Sequence, residues 1–170
     1  LQLLSLEFTT GALSINNTLQ PAWTHAYDKA LKKNISLVMT EFADMKLIHN
    51  PQWTQEAFAN ILENAVKYAP SESSVTIDCQ TYDMYSVIQI KDTGIGIPKA
   101  DQQKIFFRFY RGVNAKEQEG SGIGLYLSRL IIEKENGYIT VESTPGQGSC
   151  FRVFLQNADS CKRAVGRGSA

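Results

Sequence analysis

Asn60, Asn64 and Lys67 recur at helical spacing in a segment whose Phe58, Ile61, Leu62, Ala65 and Ala69 line the opposite face. Glu56 extends the polar stripe by one turn. An Asn carbonyl is a hard oxygen donor suited to a magnesium ion that keeps several waters and phosphate oxygens, and a nearby lysine can face the same phosphates. The stripe reads equally well as a solvated surface. A second cluster lies in Lys91-Asp92-Thr93-Gly94-Ile95-Gly96-Ile97-Pro98, where Ile88, Ile90 and Asp92 alternate along one side of a strand. A carboxylate buried at the end of that row needs a partner, and an amino group such as that of adenine would serve. Gly94 and Gly96 would let a ligand approach the backbone. A tight turn opened by an aspartate accounts for the same residues. The third cluster is Gly120-Ser121-Gly122-Ile123-Gly124, where a loop enters a helix and free N–H groups can meet phosphate oxygens. It lacks the Lys-Ser/Thr of a Walker loop, and its glycine spacing is not that of a dinucleotide fold. Gly146-Gln147-Gly148-Ser149 reads as a hairpin turn.

These clusters need elements to hold them. Leu1, Leu4 and Phe8 have helical spacing and stop at Thr9, Thr10 and Gly11. From Thr18, the residues Leu19, Trp23, Tyr27, Ala30 and Leu31 form an apolar helical stripe closed by Lys32, Lys33 and Asn34. A strand follows at Ile35 to Met39. Asn50-Pro51 opens the helix bearing Asn60 and Asn64, and Pro70 closes it. Two antiparallel strands, Val75 to Tyr82 and Tyr85 to Asp92, meet at Asp83-Met84. A short helix around Gln103 to Phe107 precedes the polar stretch Gly112 to Ser121, which has no hydrophobic periodicity. A helix from about Gly122 to Glu135 ends at Asn136-Gly137, and strands at Tyr138 to Glu142 and Ser149 to Leu155 flank Thr144-Pro145-Gly146.

The order and spacing of these clusters resemble the N, G1, F, G2 and G3 boxes of sensor histidine kinases, in the GHKL ATP-binding superfamily. The resemblance covers roughly residues 12 to 156, and "ENAVKYAP" (63–70) and "RFYRG" (108–112) point to the kinase branch. It implies an α/β two-layer sandwich of the Bergerat type, a mixed five-stranded sheet on about three helices, with a flexible ATP lid. It implies ATP and Mg2+ as cofactors, with Asn64 as the metal ligand and Asn60 beside the phosphates. Lys67 and Tyr68 would contact phosphate and ribose, Asp92 the adenine amino group, and Gly94, Gly96 and Ile97 the adenine pocket. Phe106, Phe109 and Tyr110 would anchor the lid, Arg108 or Arg111 would reach the γ-phosphate, and Gly120, Gly122, Gly124 and Leu125 would close over the phosphates. Where relatives that hydrolyse ATP or phosphorylate serine carry a glutamate base, this sequence has Asn60. An amide takes no proton from water, whereas a histidine acceptor brings its own lone pair, so transfer depends on positioning and charge neutralisation. The competing readings are a scaffold that binds nucleotide without chemistry, and an ATPase or serine kinase of the same superfamily, which Asn60 disfavours.

Two departures from the family pattern stand out. Phe107 occupies a usually polar position and either contacts a neighbour or packs the short helix. The phosphoacceptor motif is missing, for His25 precedes Ala-Tyr and His49 precedes Asn-Pro; both histidines read as surface or packing residues. The acceptor histidine is therefore expected on a dimerisation domain of the same protein, a homodimer when whole, with a response regulator downstream. Residues 1–10 are expected to be a remnant of that dimerisation helix or a linker, 11–156 the catalytic domain, and 157–170 a disordered tail. With 17 acidic against 17 basic residues there is no excess charge with which to grip nucleic acid or an anionic membrane broadly. No apolar run exceeds three residues, against roughly 20 for a membrane-spanning helix. Cys79, Cys150 and Cys161 form no CxxC pair and fit the reducing cytoplasm. The domain is expected there, cut from a membrane-anchored bacterial sensor.

Overall fold

Ser14 ends one element and begins the next. Its hydroxyl accepts the Asn17 N–H at 3.2 Å as a helix cap and donates to Asp44 Oδ2 at 2.6 Å. The chain turns there from strand β1 (Gly11–Ser14) into helix α1 (Ile15–Lys32). This computed structural model describes residues 8–110 and 123–159. Strands β2 (Ser36–Met39) and β3 (Lys46–His49) follow. Asn50 then caps α2 (Pro51–Tyr68) by accepting the Trp53 N–H at 2.9 Å, and Pro51 stands in the first turn, where its missing N–H costs nothing. Pro70 holds Ala69 extended (ψ 138°) and so ends α2 at Tyr68.

Strands β4 (Ser74–Thr81) and β5 (Tyr85–Asp92) come next, then a 3-10 turn at Lys104–Phe106, helix α3 (Gly124–Lys134), and strands β6 (Tyr138–Thr144) and β7 (Gly148–Gln156). Five strands form one sheet in the order β2-β4-β5-β7-β6, parallel between β2 and β4 and antiparallel elsewhere. Phe58, Ile61, Leu62 and Ala65 of α2 are fully buried with Ile77, Ile88, Ile90, Phe151, Val153 and Leu155 of the sheet. Each large side chain so buried contributes about 1.5–3 kcal/mol. This is the expected mixed sheet on helices, and its register sets Asp92 between Val75 and Ser149.

The structure departs from the sequence reading at several points. The buried face of α1 is Ile15, Thr18, Leu19, Ala22, Ala26 and Ala30, whereas Tyr27 and Leu31 of the expected stripe are 37% and 53% exposed. Alanines let α1 lie close to α2, while Trp23 and Tyr27 stack on each other at its flank, with centroids 4.8 Å apart. The β1–β3 ribbon was not foreseen: Gly11, read as a stop, pairs with His49. Asn157, placed at the start of the tail, is buried; its N–H donates to Met84 O, its amide to Tyr82 O, and its carbonyl accepts from Ser86. The remainder of that tail from residue 160, and residues 1–7 of the expected N-terminal helix, lie outside the described residues. None of the described helices is long and apolar enough to cross a membrane.

Candidate functional site

Asn60, in the outward stripe of α2, comes to rest against the start of α3. Asn60 and Asn64 are half-buried and Glu56 is exposed. Asn60 Nδ2 donates to Gly124 O at 3.3 Å, and a Cβ on Gly124 would sit 3.6 Å from Asn60 Cβ. Ser128 ties the same helices together, its hydroxyl near Gly124 O (2.8 Å) and Ala57 O (3.1 Å). The start of α3 is thereby fixed beside Asn60, and Leu125 packs half-buried on the core. Lys67 and Tyr68 close the stripe, with the ammonium 5.4 Å from the Tyr68 ring centroid.

Asp92 ends β5 as the sequence requires, on the side of Ile88 and Ile90 and only 4% exposed. Its Oδ1 accepts the Gly94 N–H at 2.8 Å. Burial raises its pKa, and the N–H groups of Gly94 and Ser149 pull it back down. The glycines of this turn answer to the protein's own backbone. A Cβ on Gly94 would meet Tyr68 O at 2.6 Å, so the turn and the end of α2 touch. Gly96 has φ +71°, and a Cβ there would lie 2.2 Å from Thr144 O.

Sequence reasoning missed what holds the turn. Ser143 Oγ accepts the Ile97 N–H at 2.7 Å, donates to Gly148 O at 2.9 Å and meets Ser149 Oγ at 2.8 Å. Gln102 Nε2 donates to Ile97 O (3.0 Å) and Ser143 O (2.8 Å), and Gly146 N–H reaches Ile95 O (2.8 Å). The glycine-rich turn after β5 is thus stapled to the β6–β7 turn. The signal available was the Ser149 closing Gly-Gln-Gly-Ser; nothing in the sequence pairs Ser143 with Ile97.

Beyond the 3-10 turn, Phe106 is buried edge-on to Phe151, with centroids 6.3 Å apart, under the Arg129 guanidinium. Phe107 is 57% exposed and Phe109 59%, so neither packs the short helix as Phe106 does. Arg108 lies 4.8 Å over the Phe109 ring, and Phe109 takes φ +62°, costly for a bulky residue. Tyr110 hydrogen-bonds Asp101, which raises its pKa. The structure brings together Asn60 with Gly124, and Asp92 and Gly94 with Tyr68. Arg111, Gly120 and Gly122, with the loop 112–121, lie outside the described residues. Among the described residues no three His, Cys, Asp or Glu side chains gather as a metal cage. Besides the exposed Glu56 carboxylate one turn back, the α2 stripe offers the Asn60 and Asn64 amide oxygens, hard donors that suit a magnesium ion taking its remaining ligands from phosphate and water.

Residues 49–159 match the family model described as histidine kinase-, DNA gyrase B-, and HSP90-like ATPase. The chain is 40% identical over 119 residues to the adaptive-response sensory kinase SasA of Rippkaea orientalis, covering 69% of this chain and 29% of that one. Against the sensor protein KdpD of Escherichia coli it is 33% identical over 128 residues, covering 75% and 14%. It therefore spans about a third or less of these relatives. Among solved structures, the mycobacterial sensor histidine kinase MprB superposes with a TM-score of 0.77 at 21% identity, over 86% of this chain and 98% of that one. The catalytic domain of the histidine kinase ThkA gives 0.75 at 22% identity, over 89% and 97%. At that identity these two speak for the fold, while the family match and the sensory kinases carry the assignment: the chain belongs to the histidine kinase-, DNA gyrase B- and HSP90-like ATPase family, as an ATP-binding domain of the histidine-kinase type.

Proposed function

We propose that this domain binds Mg-ATP between α2 and the Asp92–Pro98 turn and passes the γ-phosphoryl group to a histidine on a dimerisation domain of the parent homodimer. A response-regulator aspartate would receive it next. The observation that carries the reading is Asp92, a nearly buried carboxylate at the end of an apolar row, beside a turn that abuts the Asn/Lys stripe of α2. Its carboxylate offers an acceptor for the adenine amino group, and Gly94, Gly96 and Ile97 shape the pocket around it. Asn64 would hold the magnesium ion with Asn60 beside it; when bound, the ion neutralises phosphate charge. Lys67 and Tyr68 would face phosphate and ribose. Arg108 and Arg111 would meet the γ-phosphate, Phe109 and Tyr110 would anchor the lid, and Gly120, Gly122, Gly124 and Leu125 would close it.

The absence of a carboxylate at Asn60 favours this acceptor over water or serine. An imidazole nitrogen bonds to phosphorus through its own lone pair as the bond to the β-phosphate oxygen breaks, so no side chain must first remove a proton. We place the domain, residues 11–156 at its core, in the cytoplasm of a membrane-anchored bacterial sensor. The test mixes the domain with γ-labelled ATP, Mg2+ and a separately made histidine-bearing dimerisation fragment. Acid-labile label on the fragment is the expected result; nucleotide binding without transfer would sink the kinase reading in favour of a scaffold.

A further inference from the structure

The last carbonyls of a helix have no partner within it, and in α2 that end also carries Lys67 and Tyr68. The Ala69 N–H still reaches Ala65 O at 3.1 Å, after which Pro70 has no N–H to offer. Lys33, one residue beyond α1, fills the gap from the side. Its Nζ donates to Val66 O at 3.0 Å, Lys67 O at 2.8 Å and Ala69 O at 3.0 Å. An ammonium group has three protons, so all of them are committed to one turn, and its charge stands at the negative end of the α2 dipole. Tyr68 O, within the same turn, is the atom that leaves no room for a Cβ on Gly94. The turn held by Lys33 is thus the wall of α2 that abuts the Asp92–Gly94 corner. The backbone repeats the tie on either side: Glu72 N–H donates to Asn34 O and Ser36 N–H to Ser73 O, each at 2.9 Å.

We infer that Lys33 is a positioning residue for the nucleotide site, setting the last turn of α2, and so Lys67, Tyr68 and the α2 side of the adenine corner, in register with Asp92; the inference rests on the nucleotide-binding reading above. Lys29 provides the contrast. It also reaches α2, pairing with the Glu63 side chain, but both side chains are more than 40% exposed, so water screens the pair. Losing Lys29 removes a surface ion pair, whereas losing Lys33 strips the charge and three hydrogen bonds from a helix end that faces the ligand.

The test is calorimetric titration of ADP with Mg2+ into the wild-type domain and its variants, at a temperature where circular dichroism shows each folded. Lys33→Met is expected to bind about tenfold more weakly, Lys33→Arg within about threefold of wild type, and Lys29→Met within about twofold. A merely structural role would lower the melting temperature of Lys33→Met and leave the affinity of the folded protein unchanged; that outcome overturns the inference. Lys33→Arg binding no better than Lys33→Met also overturns it. Should Lys33→Met not fold, Lys33→Gln carries the test: at least about threefold weaker binding supports the assignment and wild-type affinity refutes it. Failure of the wild-type domain to bind ADP removes the nucleotide-binding reading, and this inference with it.

Discussion

Asp92 has one observed task and one proposed task, which a substitution can separate. Its buried carboxylate stabilises the turn by accepting the Gly94 N–H, and under the proposed function it is also the acceptor for an adenine amino group. Asp92→Ala is expected to abolish adenine-nucleotide binding measured by calorimetry, and also to lower stability because it strands a buried N–H. Asp92→Asn keeps an oxygen for the turn and loses the charge, so it isolates the ligand's share: a charge-assisted hydrogen bond worth about 1.5–3 kcal/mol corresponds to roughly 10- to 150-fold in affinity. Affinity surviving either change within a few-fold would show the pocket to be elsewhere. Asn64 tests separately. Asn64→Ala should leave nucleotide binding measurable and remove its enhancement by Mg2+, and an Mg2+ dependence identical to wild type would count against Asn64 as a ligand.

Elements deliver these residues, and the least conspicuous contributor is the short end of β6. Ser143 has no charge and no motif, yet it joins Ile97, Gly148 and Ser149 and so fixes the turn beside Asp92 to the neighbouring hairpin. Ser143→Ala is expected to cost about 1 kcal/mol in urea denaturation and to weaken ADP binding several-fold, because the Ile97 N–H loses its acceptor and the pocket its fixed edge. Unaltered binding would mean that Gln102 and the Gly146–Ile95 bond hold the turn unaided. The polar and apolar faces of α2 and the alternation ending at Asp92 were legible because one local period dictates both burial and site. Ser143, Gln102 and the β1–β3 ribbon were not, since each depends on a partner distant in the chain. The buried face of α1 is hidden for a related reason: large aromatics advertise a core, whereas Ala22, Ala26 and Ala30 are buried without advertising it.

At the scale of the whole molecule, balanced composition hides an uneven interior, and pH exposes it. Glu135, 1% exposed just past α3, accepts the Asn50 N–H at 3.0 Å and the Thr54 hydroxyl at the start of α2, while its Oε2 has no partner among the described residues. Burial, only partly offset by those two bonds, raises its pKa from 4.5 to about 7. Between those values the native state holds a proton that the unfolded chain has released, so stability is greatest at the acid end of that window and falls as pH rises toward 7. A shift of that size corresponds to roughly 3 kcal/mol. Buried His49 acts in the opposite sense: burial lowers its pKa, the native state holds fewer protons than the unfolded chain, and stability rises as pH climbs through the ordinary histidine range. Glu135→Gln removes the first contribution and leaves the second. Urea denaturation from pH 5 to 8 should therefore show the variant gaining on wild type by about 2.5 kcal/mol across that range, whatever their offset at pH 5. Parallel curves would mean that Glu135 reaches solvent in solution, and that the junction of α2 and α3 is looser than its buried carboxyl implies.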